Sequence, residues 1–248
     1  MDDTAYSPNG ALVARIDFDG SVKIWDAATG ACLKSFNANH SIHQLTFSPD
    51  SSRLCVRAYN SCFIYDVQSC RRIAVLQDEK SDKIEFSMSR QGDRIVTGTN
   101  FGASVKVWNA VTGQELLTIR DKRKPTPPVA FSPDGAEVLA VRKTDRTALA
   151  YDSRTGRLRH IFRLSHPPHC LTYSPNGDYV AFADLQGSLE VYGAKSRTFI
   201  GRIEGFGNGA RLQEAEFLPD SQTILSHITW TRHEPLRLCN IHDLVRMR

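Results

Sequence analysis

The chain has 248 residues, enough for one all-β domain or two smaller units, and its 41% hydrophobic and 23% charged content excludes an intrinsically disordered chain. No apolar run approaches the ~20 residues of a membrane-spanning helix, and the acidic, polar opening MDDTAYSPNG does not read as a signal peptide, so the expected compartment is cytoplasmic or nuclear. The formal net charge of +4 is too modest to announce a nucleic-acid binder.

Two paired elements recur six times along the chain. AYSPNGALVARI is followed by VKIWDAATG, with Trp25 as its marker aromatic. TFSPDSSRLCVRAY precedes CFIYDVQSC and Tyr65, and EFSMSRQGDRIVTG, with a longer turn, precedes VKVWNAVTG and Trp108. AFSPDGAEVLAV leads to ALAYDSRTG and Tyr151, TYSPNGDYVAFA to LEVYGAKSR and Tyr192, and EFLPDSQTILSH to LRLCNIHDL and Cys239. The markers are 40, 43, 43, 41 and 47 residues apart, the period of a four-stranded propeller blade.

Each unit reads as four short strands. Two β-rich runs flank a Ser-Pro-Asp turn, where proline sets φ and Asp, Asn or Gly takes the unusual backbone angles. A third run ends in the marker and usually an acid or amide; a T-G turn then leads to a fourth run such as CLKSF or RRIAVL. Four such strands cannot bury both faces alone, so the sheets must stack side by side. The expected blade limits are roughly 1–37, 38–77, 78–120, 121–164, 165–204 and 205–248, in a single domain of residues 1–248. No stretch sustains helical periodicity, so the expected class is all-β, with LVRMR ending the sixth unit as a short fourth strand.

The SPDG turns with VKIWD and VKVWN resemble the WD-repeat family, from about Tyr6 to Asp243. The resemblance implies a β-propeller of about six four-stranded antiparallel blades, acting as an interaction scaffold for other proteins. The six blades either close on themselves or belong to a longer propeller. In that family a His, a Ser or Thr, an Asp and the marker aromatic often form a hydrogen-bonded network in each blade. Asp19 stands six residues before Trp25, and Asp145 six before Tyr151, as the pattern implies. The equivalent positions elsewhere hold Tyr59, Gly102, Gln186 and His233, and His40 is the one histidine near the family's Gly-His position. No unit is therefore expected to hold a complete network. The structural blade markers are Asp19, Trp25, Tyr65, Trp108, Asp145, Tyr151 and Tyr192.

No G-x-S-x-G, H-E-x-x-H or phosphate-cradling loop is present, so no enzyme, cofactor or metal is expected. The GFGNGARL segment, Gly205 to Arg211, lacks the following helix and lysine of a nucleotide loop and reads as a turn between blades. His166 and His169 flank two prolines with no third ligand apparent and read as a surface loop. Cys32, Cys55, Cys62, Cys70, Cys170 and Cys239 are scattered, mostly in apolar runs, and read as buried, reduced thiols.

Charge is concentrated from Arg120 to Arg163, where eleven Lys/Arg face five acids. Several cations, with Lys34, Arg71, Arg72, Arg202, Arg246 and Arg248, fall on outer strands, where they discourage strand addition. The rest form two loops, Arg120, Lys122, Arg123 and Lys124 in one and Lys143 and Arg146 in the other, opposed by Asp121 and Asp145. The resemblance places both loops on one face, with Asp78, Glu79 and Asp82 of the preceding inter-blade loop supplying negative charge. This basic patch is expected to dock an acidic or phosphorylated protein segment; the bland reading is a solubilising loop. The alternative partner is nucleic acid or anionic lipid, against which stand the absence of interleaved aromatics and of a glycine after Arg71-Arg72.

Overall fold

The computed structural model describes residues 4–38, 40–77, 84–99, 104–203, 211–229 and 236–246. The chain divides into two compact units, Met1–Arg120 and Asp121–Arg248. In the first, blade 1 comprises β1 (Thr4–Tyr6), β2 (Leu12–Ile16), β3 (Ser21–Asp26) and β4 (Cys32–Asn37). Blade 2 comprises β5 (Ile42–Phe47), β6 (Arg53–Ala58), β7 (Ser61–Asp66) and β8 (Arg72–Gln77). Blade 3 comprises β9 (Ile84–Met88), β10 (Arg94–Thr99), β11 (Val105–Asn109) and β12 (Glu115–Ile119). In the second unit, blade 4 is β13 (Thr126–Phe131), β14 (Glu137–Arg142), β15 (Thr147–Asp152) and β16 (Leu158–Arg163). Blade 5 is β17 (Pro168–Tyr173), β18 (Tyr179–Asp184), β19 (Leu189–Gly193) and β20 (Phe199–Ile203). The sixth sheet is β21 (Arg211–Phe217), β22 (Thr223–Thr229) and β23 (Leu236–Asn240), followed by α1 (Ile241–Arg246). Every sheet is an antiparallel meander in chain order. The expected all-β class of four-stranded propeller blades is what the chain adopts.

Burial explains the stacking. The middle strands β6, β7, β14, β15, β18 and β19 are buried almost throughout, on both faces. Side chains alternate between faces, so β6, β7, β18 and β19 each serve two cores. Leu54 and Val56 of β6 pack with Ala14, Val22 and Ile24 of blade 1, whereas Cys55 between them packs with Ile95 and Trp108 of blade 3. In the second unit Val180 and Phe182 face Leu139, Val141 and Phe162 of blade 4, while Ala181 and Ala183 face Ala215, Phe217 and Ile224 of the sixth sheet.

Local geometry repeats as faithfully as the pattern of residues. In all five four-stranded blades the third and fourth strands shift register at the marker aromatic: Ile24/Trp25, Ile64/Tyr65, Val107/Trp108, Ala150/Tyr151 and Val191/Tyr192. The acid or amide after the marker then closes the turn that follows. Asp26 Oδ1 accepts from Thr29 N at 2.7 Å, and Asp152 Oδ1 from Thr155 N at 2.7 Å.

The turn between first and second strands places its fourth residue in the left-handed region, as with Gly10 at φ 72° and Gly135 at 69°. Ser51 and Ser221 hold that position at φ 61° and 58°, a conformation a side chain disfavours. Each has a compensating bond. Ser51 Oγ accepts from Asn9 N of blade 1 at 3.2 Å, and Ser221 Oγ accepts from Asn176 N of blade 5 at 3.1 Å.

Two expectations need correction. Among the described residues the sixth sheet has three strands, and the chain after β23 turns into α1 where a short fourth strand was expected. Asn240 Oδ1 accepts from His242 N at 2.9 Å, opening the helix. Ile241 and Leu244, one turn apart, bury against the blade 5 core. Gly201 in β20 makes room, since a Cβ there would lie 2.7 Å from that of Leu244. The cysteines are free, as expected, but Cys55 and Cys62 are the buried pair, Cys32 is exposed on an outer strand, and the other three are half-buried. Asp78, Glu79, Gly102, Gly205, His233 and Arg248 lie outside the described residues, as does Asp82.

Phe182 contacts the rings of Phe162 and Tyr192 with centroids 5.3 and 5.8 Å away. Phe182→Ala should therefore cost about 3–5 kcal/mol in a denaturant melt, the usual range for an emptied aromatic site. Ser51→Ala should destabilise by about 1 kcal/mol through loss of the bond to blade 1. Ser51→Gly should be nearly neutral, because relief of the left-handed backbone offsets that loss; equal losses for the two variants would refute the compensation.

Candidate protein-interaction surface

Strand register sets the stage in blade 4. Thr126 pairs with Val141, Arg142 with Thr147, and Thr147 with Arg163. The loop entering β13 and the turn between β14 and β15 therefore lie at the same end of the sheet. Lys122, Arg123 and Lys124 are exposed in the first; Lys143 and Arg146 are exposed in the second, where residues Lys143–Asp145 form a single 3-10 turn. Arg120, also exposed, follows β12 as the last residue of the first unit.

These cations differ in how they are held. Asp121, with its side chain 10% exposed, organises the first loop. Its Oδ1 accepts from Arg123 N at 2.9 Å and its carbonyl from Lys124 N at 2.9 Å. Its carboxylate also receives the Arg123 guanidinium at 3.1 and 3.2 Å and the Tyr151 hydroxyl at 2.9 Å. Arg123 is thus largely neutralised. Arg146 donates to Ser165 O at 3.1 Å, and Asp145 is occupied by Arg142 at 3.1 Å and by Thr147 Oγ1 at 2.9 Å. Lys122, Lys124 and Lys143 make no ion pair or side-chain hydrogen bond with a described residue. Lys124 and Arg146 sit at φ 51° and 56°, backbone positions held by the surrounding bonds.

The titration of this cluster follows its contacts. Burial pulls the Asp121 carboxyl upward, but the bonds from Arg123 N, Tyr151 and the Arg123 side chain outweigh it, and the net shift is downward. Burial first, then the Asp121 bond and charge, push the Tyr151 phenol far up.

The marker residues differ in what they contact. Trp108 Nε1 donates to Thr97 Oγ1 at 2.8 Å inside blade 3. Tyr192 donates toward Arg163 O at 2.8 Å and Glu190 Oε2 at 3.0 Å. Tyr65 packs on Phe36 with ring centroids 4.5 Å apart, and Trp25 is half-buried. Asp19 and Asp145, chosen by spacing, serve their own turns: Asp19 Oδ1 accepts from Ser21 N at 2.8 Å, and neither acid bonds its marker aromatic.

Blade 5 does carry a histidine–acid pair, where spacing pointed to Gln186. His166 Nδ1 lies 3.0 Å from Asp184 Oδ2, and Arg202 Nη2 lies 3.0 Å from the same nitrogen. Asp184 Oδ1 meanwhile accepts from Gln186 N and Ser188 N at 2.7 and 3.0 Å. The acid is the last residue of β18, two positions before the one that counting back from Tyr192 selects. The signal in the sequence was the Asp in FADLQG, displaced by a turn of different length. His169, the other histidine of that loop, is exposed within β17.

The first unit offers a second kind of contact group that charge counting overlooks. Phe18, 90% exposed, and Tyr59, 54% exposed, occupy the turns between the second and third strands of blades 1 and 2. Tyr59 lies 6.0 Å from the His43 ring. Large apolar groups at turn positions are the signal, because turns otherwise favour Gly, Asn and Asp.

Comparison with known proteins adds independent weight. No family model matches the chain. A WD repeat-containing protein of Deinococcus radiodurans, itself described as uncharacterized, is 30% identical over 190 residues, covering 63% of this chain and 70% of its own length. The chain belongs to the WD-repeat family. Eukaryotic translation initiation factor 3 subunit I of Aspergillus terreus is 25% identical over 207 residues, 77% of this WD-repeat chain. The chain spans 61% of that relative's length. Periodic tryptophan protein 2 homolog of Dictyostelium discoideum is 26% identical over 213 residues, 83% of this chain and 23% of its own. The sheets described above are accordingly WD-repeat blades. No helix among the described residues is long and apolar enough to cross a membrane.

Because Asp121 has a lowered pKa in the folded chain, it contributes stability that is present above the ordinary carboxylate range and lost as pH falls through the folded value. Asp121→Asn should flatten the acid limb of a stability–pH curve relative to wild type. Parallel curves would show that the Asp121 bonds add no pH-dependent stability.

Proposed function

We propose that this WD-repeat chain is a non-catalytic scaffold for protein partners, working in the cytoplasm or nucleus. Its second unit presents Lys122, Lys124, Lys143 and Arg146 to an acidic or phosphorylated segment. The observation that carries this reading is three uncommitted lysine ammonium groups beside a loop whose backbone is pinned by Asp121 to Tyr151. A fixed loop spares part of the ordering cost of binding, and the free ammonium groups gain charge-assisted bonds to carboxylate or phosphate oxygens. The exposed Phe18 and Tyr59 of the first unit suit a protein partner, as aromatics are enriched in interface hot spots. The relative named as a translation initiation factor subunit is, by that name, part of an assembly, which supports the same reading. The single-domain reading of residues 1–248 and its blade limits belong to this proposal.

Nucleic acid or anionic lipid is the competing partner. Neither basic loop contains an aromatic residue on which bases would stack. The test is fluorescence anisotropy with acidic and phosphorylated peptides, alongside RNA and anionic vesicles over a salt series. Lys122→Glu, Lys124→Glu and Lys143→Glu together should weaken peptide binding by more than about tenfold. Unchanged affinity refutes the site, and tighter, steeply salt-dependent binding of RNA or vesicles transfers it to the competing partner.

A further inference from the structure

One nitrogen at the entry to blade 5 has two claimants. Pro168 pairs with Asp184 and Leu189 with Ile203, so the loop entering β17, the end of β18 and the end of β20 meet at one end of the sheet. There His166 Nδ1 lies 3.0 Å from Asp184 Oδ2 and 3.0 Å from Arg202 Nη2. An imidazole nitrogen has one position in the ring plane, filled by a lone pair or by a proton, whereas a guanidinium only donates and an ionised carboxylate only accepts. Nδ1 therefore serves one neighbour at a time. Bare, it accepts from Arg202; protonated, it donates to Asp184 and confronts the Arg202 N–H with another N–H.

The two neighbours are held differently. The Asp184 side chain is 8% exposed, and its Oδ1 accepts from Gln186 N and Ser188 N at 2.7 and 3.0 Å, so the carboxylate stays in place as a ready acceptor. Arg202 Nη2 has a second acceptor, Ser188 Oγ at 3.0 Å, which it can keep while giving up the imidazole. The imidazole is 31% exposed and exchanges protons with solvent. Among the described residues, the other charged groups at this loop act on its backbone: Glu190 Oε1 accepts from Ser165 N at 2.9 Å, and Arg146 Nη1 donates to Ser165 O at 3.1 Å. Glu190 Oε2 is taken by the Tyr192 hydroxyl, and His169 is exposed on β17.

We infer that His166 is a proton-operated latch: uncharged, its Nδ1 accepts from Arg202, and protonated there, it donates to Asp184 and turns the Arg202 guanidinium away. The latch does not depend on the basic loops binding a partner. Imidazole is the side chain that ordinarily changes charge between about pH 5 and 8, so NMR of the nitrogen-15-labelled full chain over that range reads it directly. Near the upper limit the proton of His166 should sit on Nε2 with Nδ1 bare. Towards the lower limit both nitrogens should be protonated, and the Arg202 side-chain resonances should move in step. In His166→Gln the Arg202 resonances should lose that pH response, whereas His169→Gln should keep it. Arg202→Met removes the competing donor, so the neutral imidazole should reverse its tautomer and carry its proton on Nδ1, facing Asp184. The inference is overturned if wild-type Nδ1 is protonated throughout the range, if the Arg202 response survives in His166→Gln, or if Arg202→Met leaves the neutral tautomer unchanged. The wild-type measurement decides alone should a variant fail to fold.

Discussion

The middle strands of blades 2, 4 and 5 are buried on both faces, and no sheet of four short strands can hide two faces by itself. β14 and β15 carry runs of consecutive buried residues, the mark of strands with no solvent face. The rest of the architecture follows from that constraint. Within each unit such a blade packs against its neighbours, the alternation of side chains gives the middle strands of blades 2 and 5 a share in two cores, and the connecting turns lie at the sheet ends. In the sixth sheet, which has three strands among the described residues, α1 lays Ile241 and Leu244 against the core shared with blade 5.

The ends of the blades then divide the chemistry. At the end where first and second strands turn, short Ser-Pro-Asp or Ser-Pro-Asn turns touch between blades, either by a serine hydroxyl reaching Asn9 or Asn176 or by Arg197 reaching Glu137. At the other end, two loops are tied to their own blades by a polar pair: Asp121 with Tyr151 in blade 4, His166 with Asp184 in blade 5. One tether uses an acid from the incoming loop and the other an acid from the strand, yet both hold the loop over the sheet. These pairs differ from the network that the resemblance implied, and each satisfies the buried polar groups it contains, which is what a buried polar group requires.

Much of the blade architecture was legible because its signals are local and repeated. The Ser-Pro-Asp turn, the marker aromatic and the acid after it are each set by backbone angles or hydrogen bonds within a few residues. Recurrence removed the ambiguity that a single short strand would leave. The polar pairs were harder. Asp19 and Asp145 had the right spacing but serve their own turns, whereas Asp121 and Asp184 had no spacing signal and make the long-range bonds. Counting residues cannot say which way a carboxylate points when turns differ in length. The helix was missed for a related reason: six residues are too few for periodicity to register, and α1 exists because Gly201 leaves a place for Leu244.

Sequence alone determined the class of fold, the number of repeats and the location of the basic loops, since these depend on composition and on contacts between near neighbours. Tertiary structure decided which charges are free. It paired Arg123 with Asp121 and Arg142 with Asp145, left Lys122, Lys124 and Lys143 uncommitted, and brought Arg197 of blade 5 onto Glu137 of blade 4. The physical reason is reach: a salt bridge is settled over a few ångströms of space, and residues as far apart as Glu137 and Arg197 become neighbours only when sheets stack.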